Sequence, residues 1–343
     1  MGATEVKSKP KVRSAELRSA DSRGRLSPQK PFLLRSPPHM RAAAIFGLGC
    51  SPKDLKPFQS DPGVEWRMGT PSSADQADVI LLFGGDGTIH RHLGQLVRLG
   101  LPVLLVPAGS GNDFARALGL RRVRDSLVAW RKFCAGAGNL RSIDLGVISA
   151  MENAGGGPAP HDRYFCSVAG VGLDADVARR ANRLPRWLRG HGGYLLSLAP
   201  AIFSFAPVAM KILTVENRNE TPLVSRDQNS DWSTRSHQPA LLAAFANTPL
   251  YGGGMQIAPL AQIDDGLLDV CVVGAVAPFR LLRLFPSVYS GKHLKIREVS
   301  YFQATWVRVE TEHLVDVYAD GEYVCRTPIE VSVHRAALKV VTL

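Results

Sequence analysis

The chain has 343 residues and a formal charge of +11, with 45% hydrophobic and 21% charged residues, enough to bury one large or two ordinary cores. The charge is uneven: residues 1–41 hold ten Lys/Arg against three acidic residues, a surplus of seven, so the body is only mildly basic and its charge is no argument for nucleic-acid binding. No apolar stretch reaches the ~18 residues that a membrane span needs; residues 194–206 come nearest, and Pro200 interrupts them. Cys50, Cys134, Cys166, Cys271 and Cys325 are scattered, odd in number and never in Cys-x-x-Cys spacing, which fits reduced, buried thiols in a cytoplasm rather than a zinc site or a disulfide framework.

Residues 1–39 have few large apolar residues and no period, so they are expected to be a disordered basic tail without the apolar core of a signal peptide. Such a tail could rest on anionic lipid, be an inert extension, or precede a true start at Met40. Residues 42–48 form a first strand, ending at Gly47-Leu48-Gly49-Cys50-Ser51-Pro52-Lys53. Residues 64–68 form a second, and only residues 70–77 precede the apolar run 79–83, long enough for a buried parallel strand. That run breaks into Gly84-Gly85-Asp86-Gly87-Thr88, followed by a helix with Ile89, Leu93, Leu96 and Val97 on one face. A second strand, 103–106, leads into Pro107-Ala108-Gly109-Ser110-Gly111-Asn112-Asp113 and another helix. Glycines let a backbone approach phosphate closely, and helix N-termini offer free N–H groups to it. Two such turns at strand ends would face one crevice.

Residues 124–136 read as a helix closing a first domain, and residues 140–149 open a strand-dominated region that contains Asp144. A loop at 151–162 returns as a strand over 163–168 into the turn Gly170-Val171-Gly172-Leu173-Asp174, then a helix through Asn182. Trp187 and Leu188 among Arg183, Arg186 and Arg189 could dock on a membrane or belong to a packed helix pair. Residues 208–216 form a strand, 217–239 a long polar loop, and 241–248 another strand. Asp264-Asp265-Gly266 is a turn with adjacent carboxylates, 278–291 a helix, and 297–343 a set of short strands with Asp320-Gly321-Glu322 between two of them.

Gly84-Gly85-Asp86-Gly87-Thr88 followed by Pro107-x-Gly-Ser-Gly-Asn-Asp-Phe-Ala115 resembles the catalytic domain of the diacylglycerol kinase and sphingosine kinase superfamily, and most of all its bacterial YegS-like lipid kinases. Ala169-Gly170-Val171-Gly172-Leu173-Asp174-Ala175, the stretch from Asn247-Thr248-Pro249 to Asp265-Gly266-Leu267, and Asp320-Gly321-Glu322 resemble later motifs of that family, in the same order. After the tail 1–39, the resemblance implies two parts: an α/β nucleotide-binding domain over 40–139 with a parallel sheet, and a β-rich sandwich-like domain over 140–343. The substrate cleft would lie between the two domains. It implies ATP held by Gly84, Gly85, Asp86, Gly87, Thr88, Ile89, His90, Gly109, Ser110, Asn112 and Asp113, with Thr88, Ser110 and Asn112 donating hydrogen bonds. It implies Mg²⁺ on Asp265 with backbone carbonyls near Gln262 and Leu267, and Asp144 and Asp174 around the site. Asp86 or Glu322 would be the catalytic base for a lipid hydroxyl at a membrane surface.

The sequence also departs from the family. The first glycine loop lacks the Asn-Pro pattern, the short stretch before residue 79 leaves no room for a usual helix, and Arg91 replaces a Glu. A guanidinium cannot act as a base or magnesium ligand, but it can reach a phosphate or lie on a solvated face. His90 and His92, at i, i+2, are expected on the surface. The expected activity is an ATP- and Mg²⁺-dependent lipid kinase. The alternatives are an NAD kinase-like enzyme acting on a soluble ribose, a degenerate binding protein, and a membrane-associated regulatory module.

Overall fold

In the computed structural model the described residues are 40–60, 62–151, 163–183, 191–215 and 232–343. The expected tail, the loop expected over 152–162, the Trp187 segment and residues 217–231 of the expected polar loop lie outside them.

The first part is a parallel sheet built from β1 (Met40–Phe46), β2 (Val64–Met68), β3 (Val79–Gly84) and β4 (Val103–Pro107), in the order β4-β3-β1-β2. Every residue of β3 is buried, because helices cover both faces of such a sheet. Those helices are α1 (Asp86–Leu99), α2 (Asp113–Ala117) and α3 (Val123–Cys134). Ile89, Leu93 and Leu96 of α1 are buried at helical spacing, and Gly100 ends the helix in the left-handed region at φ 62°. Among the described residues the 3₁₀ turns Pro52–Phe58 and Ala74–Gln76 lie between β1 and β2 and between β2 and β3, and the shortened stretch 70–77 holds no α-helix. Trp130 of α3 is buried and donates Nε1–H to the Phe58 carbonyl at 3.0 Å, which pins the first of these turns.

The rest is β-rich. It contains β5 (Leu140–Ala150), β6 (Arg163–Phe165), β7 (Val168–Gly172), α4 (Leu173–Arg183), α5 (His191–Ser204), β8 (Val208–Val215), β9 (Trp232–Ala246), β10 (Leu268–Gly274) and α6 (Pro278–Leu284). After these come β11 (Val299–Ala304), β12 (Trp306–Thr311), β13 (Asp316–Ala319), β14 (Glu322–Arg326) and β15 (Ile329–Val341). β15 pairs antiparallel with β5 and touches β4 in parallel at Val340↔Val103, so the two sheets are continuous through their hydrogen bonds.

Four expectations need correction. The polar stretch 217–239 is not all loop: residues 232–239 extend β9, which pairs with β8 from Trp232↔Val215 onward. Residues 163–168 are not one strand, because the Cys166, Ser167 and Val168 N–H groups donate to the Asp320 carboxylate and so break β6 from β7. Gly170 to Gly172 is strand rather than turn. The helix expected over 278–291 ends at Leu284 and continues as the 3₁₀ turn Phe285–Ser290, consistent with Pro286 having no N–H to offer.

Candidate active site

β3 and β4 pair up to Gly84↔Pro107, so the loops after them leave the sheet together at its carboxyl edge, where open α/β sheets bind ligands. The loops touch through their backbones. A Cβ on Gly85 would stand 2.8 Å from Gly109 Cα, and one on Gly109 would stand 2.5 Å from Gly85 Cα. Asn112, at φ 56°, closes the second loop: its Oδ1 accepts from Gly109 N–H at 2.9 Å and its Nδ2 donates to Gly109 O at 2.7 Å. The amide expected to serve a phosphate therefore shapes its own loop here.

Asp86 ties the first loop to the second. Its Oδ2 accepts from Asp113 N–H at 3.1 Å and its Oδ1 from Phe114 N–H at 3.2 Å. Burial and the neighbouring Asp113 carboxylate push the Asp86 carboxyl up to about 6, against these two backbone bonds. Asp113 is held in turn by Gly253 N–H, which donates to Oδ2 at 2.9 Å, and by an ion pair with Arg116. Thr88 is buried, its side chain packed against Gly47 and Gly84, while Ser110 is exposed at the loop tip. Ile89 is corrected: it is a core residue at 2% exposure, and its N–H is bonded to Gly85 O, so it faces no ligand.

The opposite wall is the turn between β13 and β14. Asp320 sits there at φ 50° with a fully buried side chain. Its Oδ1 accepts from Ser167 N–H at 2.8 Å, and its Oδ2 accepts from Cys166 N–H at 2.9 Å and faces His90 Nδ1 at 3.2 Å. His90 is thus half-buried in an ion pair, not on the surface as expected. Burial works against the His90 charge, yet the Asp320 and Glu322 carboxylates outweigh it and raise the imidazole above its ordinary value. Burial would likewise raise Asp320, but His90 and the backbone donors hold it below the usual carboxylate range. This pair fixes the turn against α1 and so places Glu322. A Cβ on Gly87 would stand 3.0 Å from Glu322 Oε1, and Glu322 itself is exposed to the cleft.

The cleft between these walls has a volume of ≈ 420 Å³. Asp86, Asp113, Asp174, Asp320 and Glu322 line it, with Arg91 at its rim. Asp174 lies over Gly170, where no side chain would fit. Arg91 is exposed and donates Nε–H to Gly87 O at 3.0 Å, which aims the guanidinium along the first loop. Of the lining carboxylates Glu322 alone is exposed; Asp113 and Asp174 are buried, and Asp86 and Asp320 have their oxygens on backbone N–H groups or His90. Among the described residues no cluster of three or more His, Cys, Asp or Glu is placed to hold a metal.

The Asp265 turn is not part of this cleft. Asp265 Oδ1 accepts from Leu267 N–H at 3.0 Å. Burial, with the Asp269 and Asp144 charges, raises its carboxyl, a state that a bound cation would relieve. Gln262 and Leu267 flank it, and Arg335 lies across Gly266 with Nη2 3.5 Å from the Gly266 carbonyl. Asp144 braces the turn from below: Oδ2 accepts from Gly266 N–H at 2.6 Å and Oδ1 from Ala336 N–H at 2.7 Å. Sequence reasoning missed the anchoring role of Asp320, the His90 contact and the Gly253 N–H. The Asp-Gly pair at 320–321 and the glycine run at 252–254 were their local signals.

The diacylglycerol kinase catalytic domain model matches residues 61–148, and the YegS C-terminal NAD kinase beta sandwich-like domain model matches residues 167–342. A diacylglycerol kinase of Mycobacterium tuberculosis is 33% identical over 267 residues, covering 78% of this chain and 77% of that protein. A diacylglycerol kinase of Bacillus subtilis is 25% identical over 249 residues, covering 72% and 71%. A solved diacylglycerol kinase from Bacillus anthracis superposes with a TM-score of 0.58 at 16% identity, covering 89% of this chain and 97% of that one, which speaks for the fold.

Proposed function

This chain belongs to the diacylglycerol kinase and YegS-like lipid kinase family, and from that premise we propose that it transfers the γ-phosphate of ATP to the hydroxyl of a lipid. The observation that carries this reading is the pairing of two interlocked glycine loops with an exposed carboxylate, Glu322, across one cleft. Phosphoryl transfer needs positioning and charge stabilisation more than covalent help from the protein. The loop backbones at Gly85, Gly87, Gly109 and Gly111 present the close approach that phosphates need, and Arg91 reaches them from the rim. Mg²⁺, when bound with ATP, supplies neutralisation of the phosphate charge. Ser110 at the loop tip donates to a phosphate oxygen.

Asp86 and Glu322 take different roles. Asp86 has each oxygen on a backbone donor and holds the second loop to the first, so it positions the phosphate site. Glu322 is exposed, and its Oε1 faces Gly87. It accepts the proton of the attacking hydroxyl. The Asp265 turn would hold a second Mg²⁺ as a brace for the β-rich region, with Asp144 beneath it. The protein is expected to act at the inner face of a membrane, where its lipid resides.

The test is transfer of labelled γ-phosphate from ATP to a panel of lipids in mixed micelles, with Mg²⁺ present and absent. Labelled lipid from the wild type but not from Glu322→Gln supports the reading. A labelled water-soluble product would move the protein to an NAD kinase-like activity, and ATP binding without transfer would leave a binding protein.

A further inference from the structure

Beside the cleft lies an apolar cavity, and Tyr251 lines both. One wall of that cavity is the segment 278–298, which contributes Leu281, Leu284, Phe285, Val288 and Ile296 from α6 and the 3₁₀ turns after it. The outer face of the same segment is different. It carries Arg280, Arg283, Lys292, Lys295 and Arg297 against a single acid, Glu298, and Arg280 pairs with that acid. Arg283, Lys292, Lys295 and Arg297 are exposed.

Aromatic side chains stand among these cations. Phe279 is 79% exposed, and it stacks edge-on against Phe203 of α5, 52% exposed, with ring centroids 5.3 Å apart. Tyr289 is exposed on the 3₁₀ turn Phe285–Ser290. Two adjacent phenylalanines held in water lose the burial that such side chains normally gain, and the surplus of cations on the same segment attracts an anionic surface.

We propose that the segment 278–298, with Phe203, is the surface by which this protein docks on an anionic bilayer, its cations on the headgroups and Phe279 and Phe203 in the acyl boundary. The occupant follows from both faces of the segment. Outside, long cations and aromatics match the interfacial zone. Inside, the same segment closes a cavity lined by apolar side chains, so its inner face is committed to the core and only its outer face is free to dock. This inference rests on the lipid-kinase reading for its biological sense, but not for its test.

The test is flotation of the full chain with phosphatidylcholine vesicles, with and without phosphatidylglycerol, for the wild type, Phe279→Ser and the double variant Arg283→Gln/Lys292→Gln. The wild type should bind better when phosphatidylglycerol is present. The double variant should bind about 25-fold more weakly, from ~1 kcal/mol per cation near the surface. Phe279→Ser should lose about tenfold, the lower end of the value of burying a phenylalanine. Residues 1–41 contribute the same to all three proteins, so the ratios report this surface. Equal binding by all three overturns the proposal. So does a concentration-dependent dimer that Phe279→Ser abolishes without any vesicle binding, since the face would then cover a second copy. Transfer to a water-soluble short-chain diacylglycerol should be the same in all three proteins. Docking by a wild type that transfers no phosphate would reject the kinase reading and leave the docking surface standing.

Discussion

Gly85 and Gly109 meet backbone to backbone, each standing where the other would need to place a Cβ. The two glycine loops are therefore packed as one unit, and the spacing between them is set by two absent side chains. Gly109→Ala should wedge them apart, lowering stability by about 1–3 kcal/mol through overpacking and weakening ATP binding at the same time. Calorimetric titration with ATP beside a thermal melt checks both. Wild-type affinity in this variant would mean that the loops move independently.

Asp86 and Glu322 should separate in their effects. Glu322→Gln should lower kcat by about 10²–10⁴-fold and leave the melting temperature unchanged, because the side chain is exposed. Asp86→Ala should lose activity and also about 1–3 kcal/mol of stability, since the Asp113 and Phe114 N–H groups lose their acceptor. Paired kinetics and denaturation distinguish these patterns; identical profiles for the two variants would reject the division of roles.

The His90–Asp320 pair should appear in the pH dependence of stability. His90 is raised above its ordinary 6.5, so it binds protons more tightly folded than unfolded, and its contribution is present in full below that pH. It is lost as pH rises through the raised folded value. Melting temperature should therefore fall with rising pH above about 6.5 in the wild type and fall less in His90→Gln. Parallel curves for the two proteins would show that the pair carries no net stability.

Arg91 stands at the cleft rim with Nε on the Gly87 carbonyl. Arg91→Ala should raise the Kd for ATP about tenfold, or ~1.4 kcal/mol, with much less effect on ADP if the γ-phosphate is its target. Lysine should restore part of the loss, and unchanged ATP affinity would return Arg91 to the solvated face of α1.

The Asp265 turn offers an independent check on the metal. Mg²⁺ should raise the melting temperature of the nucleotide-free wild type, and Asp265→Asn should remove that increment while keeping the fold. Equal Mg²⁺ shifts in both proteins would show that this turn holds no ion.

The sequence by itself determined what is local. The run Val79 to Phe83, the glycine loops after it and the spacing of Ile89, Leu93 and Leu96 specify strand, turn and helix through contacts a few residues apart, and the structure holds all of them. The motif order was equally legible and led to the family. Tertiary structure alone decided what depends on distant partners. His90 looked like a surface residue because its acid, Asp320, lies 230 positions away. Ile89 follows directly on the first glycine loop, yet the core claims its side chain because the face of a helix is chosen by the sheet it covers. The polar residues 232–239 carry no strand period, but β8 supplies the hydrogen bonds that hold them extended. Periodicity reports which face is apolar; only the folded chain reports which partner meets it.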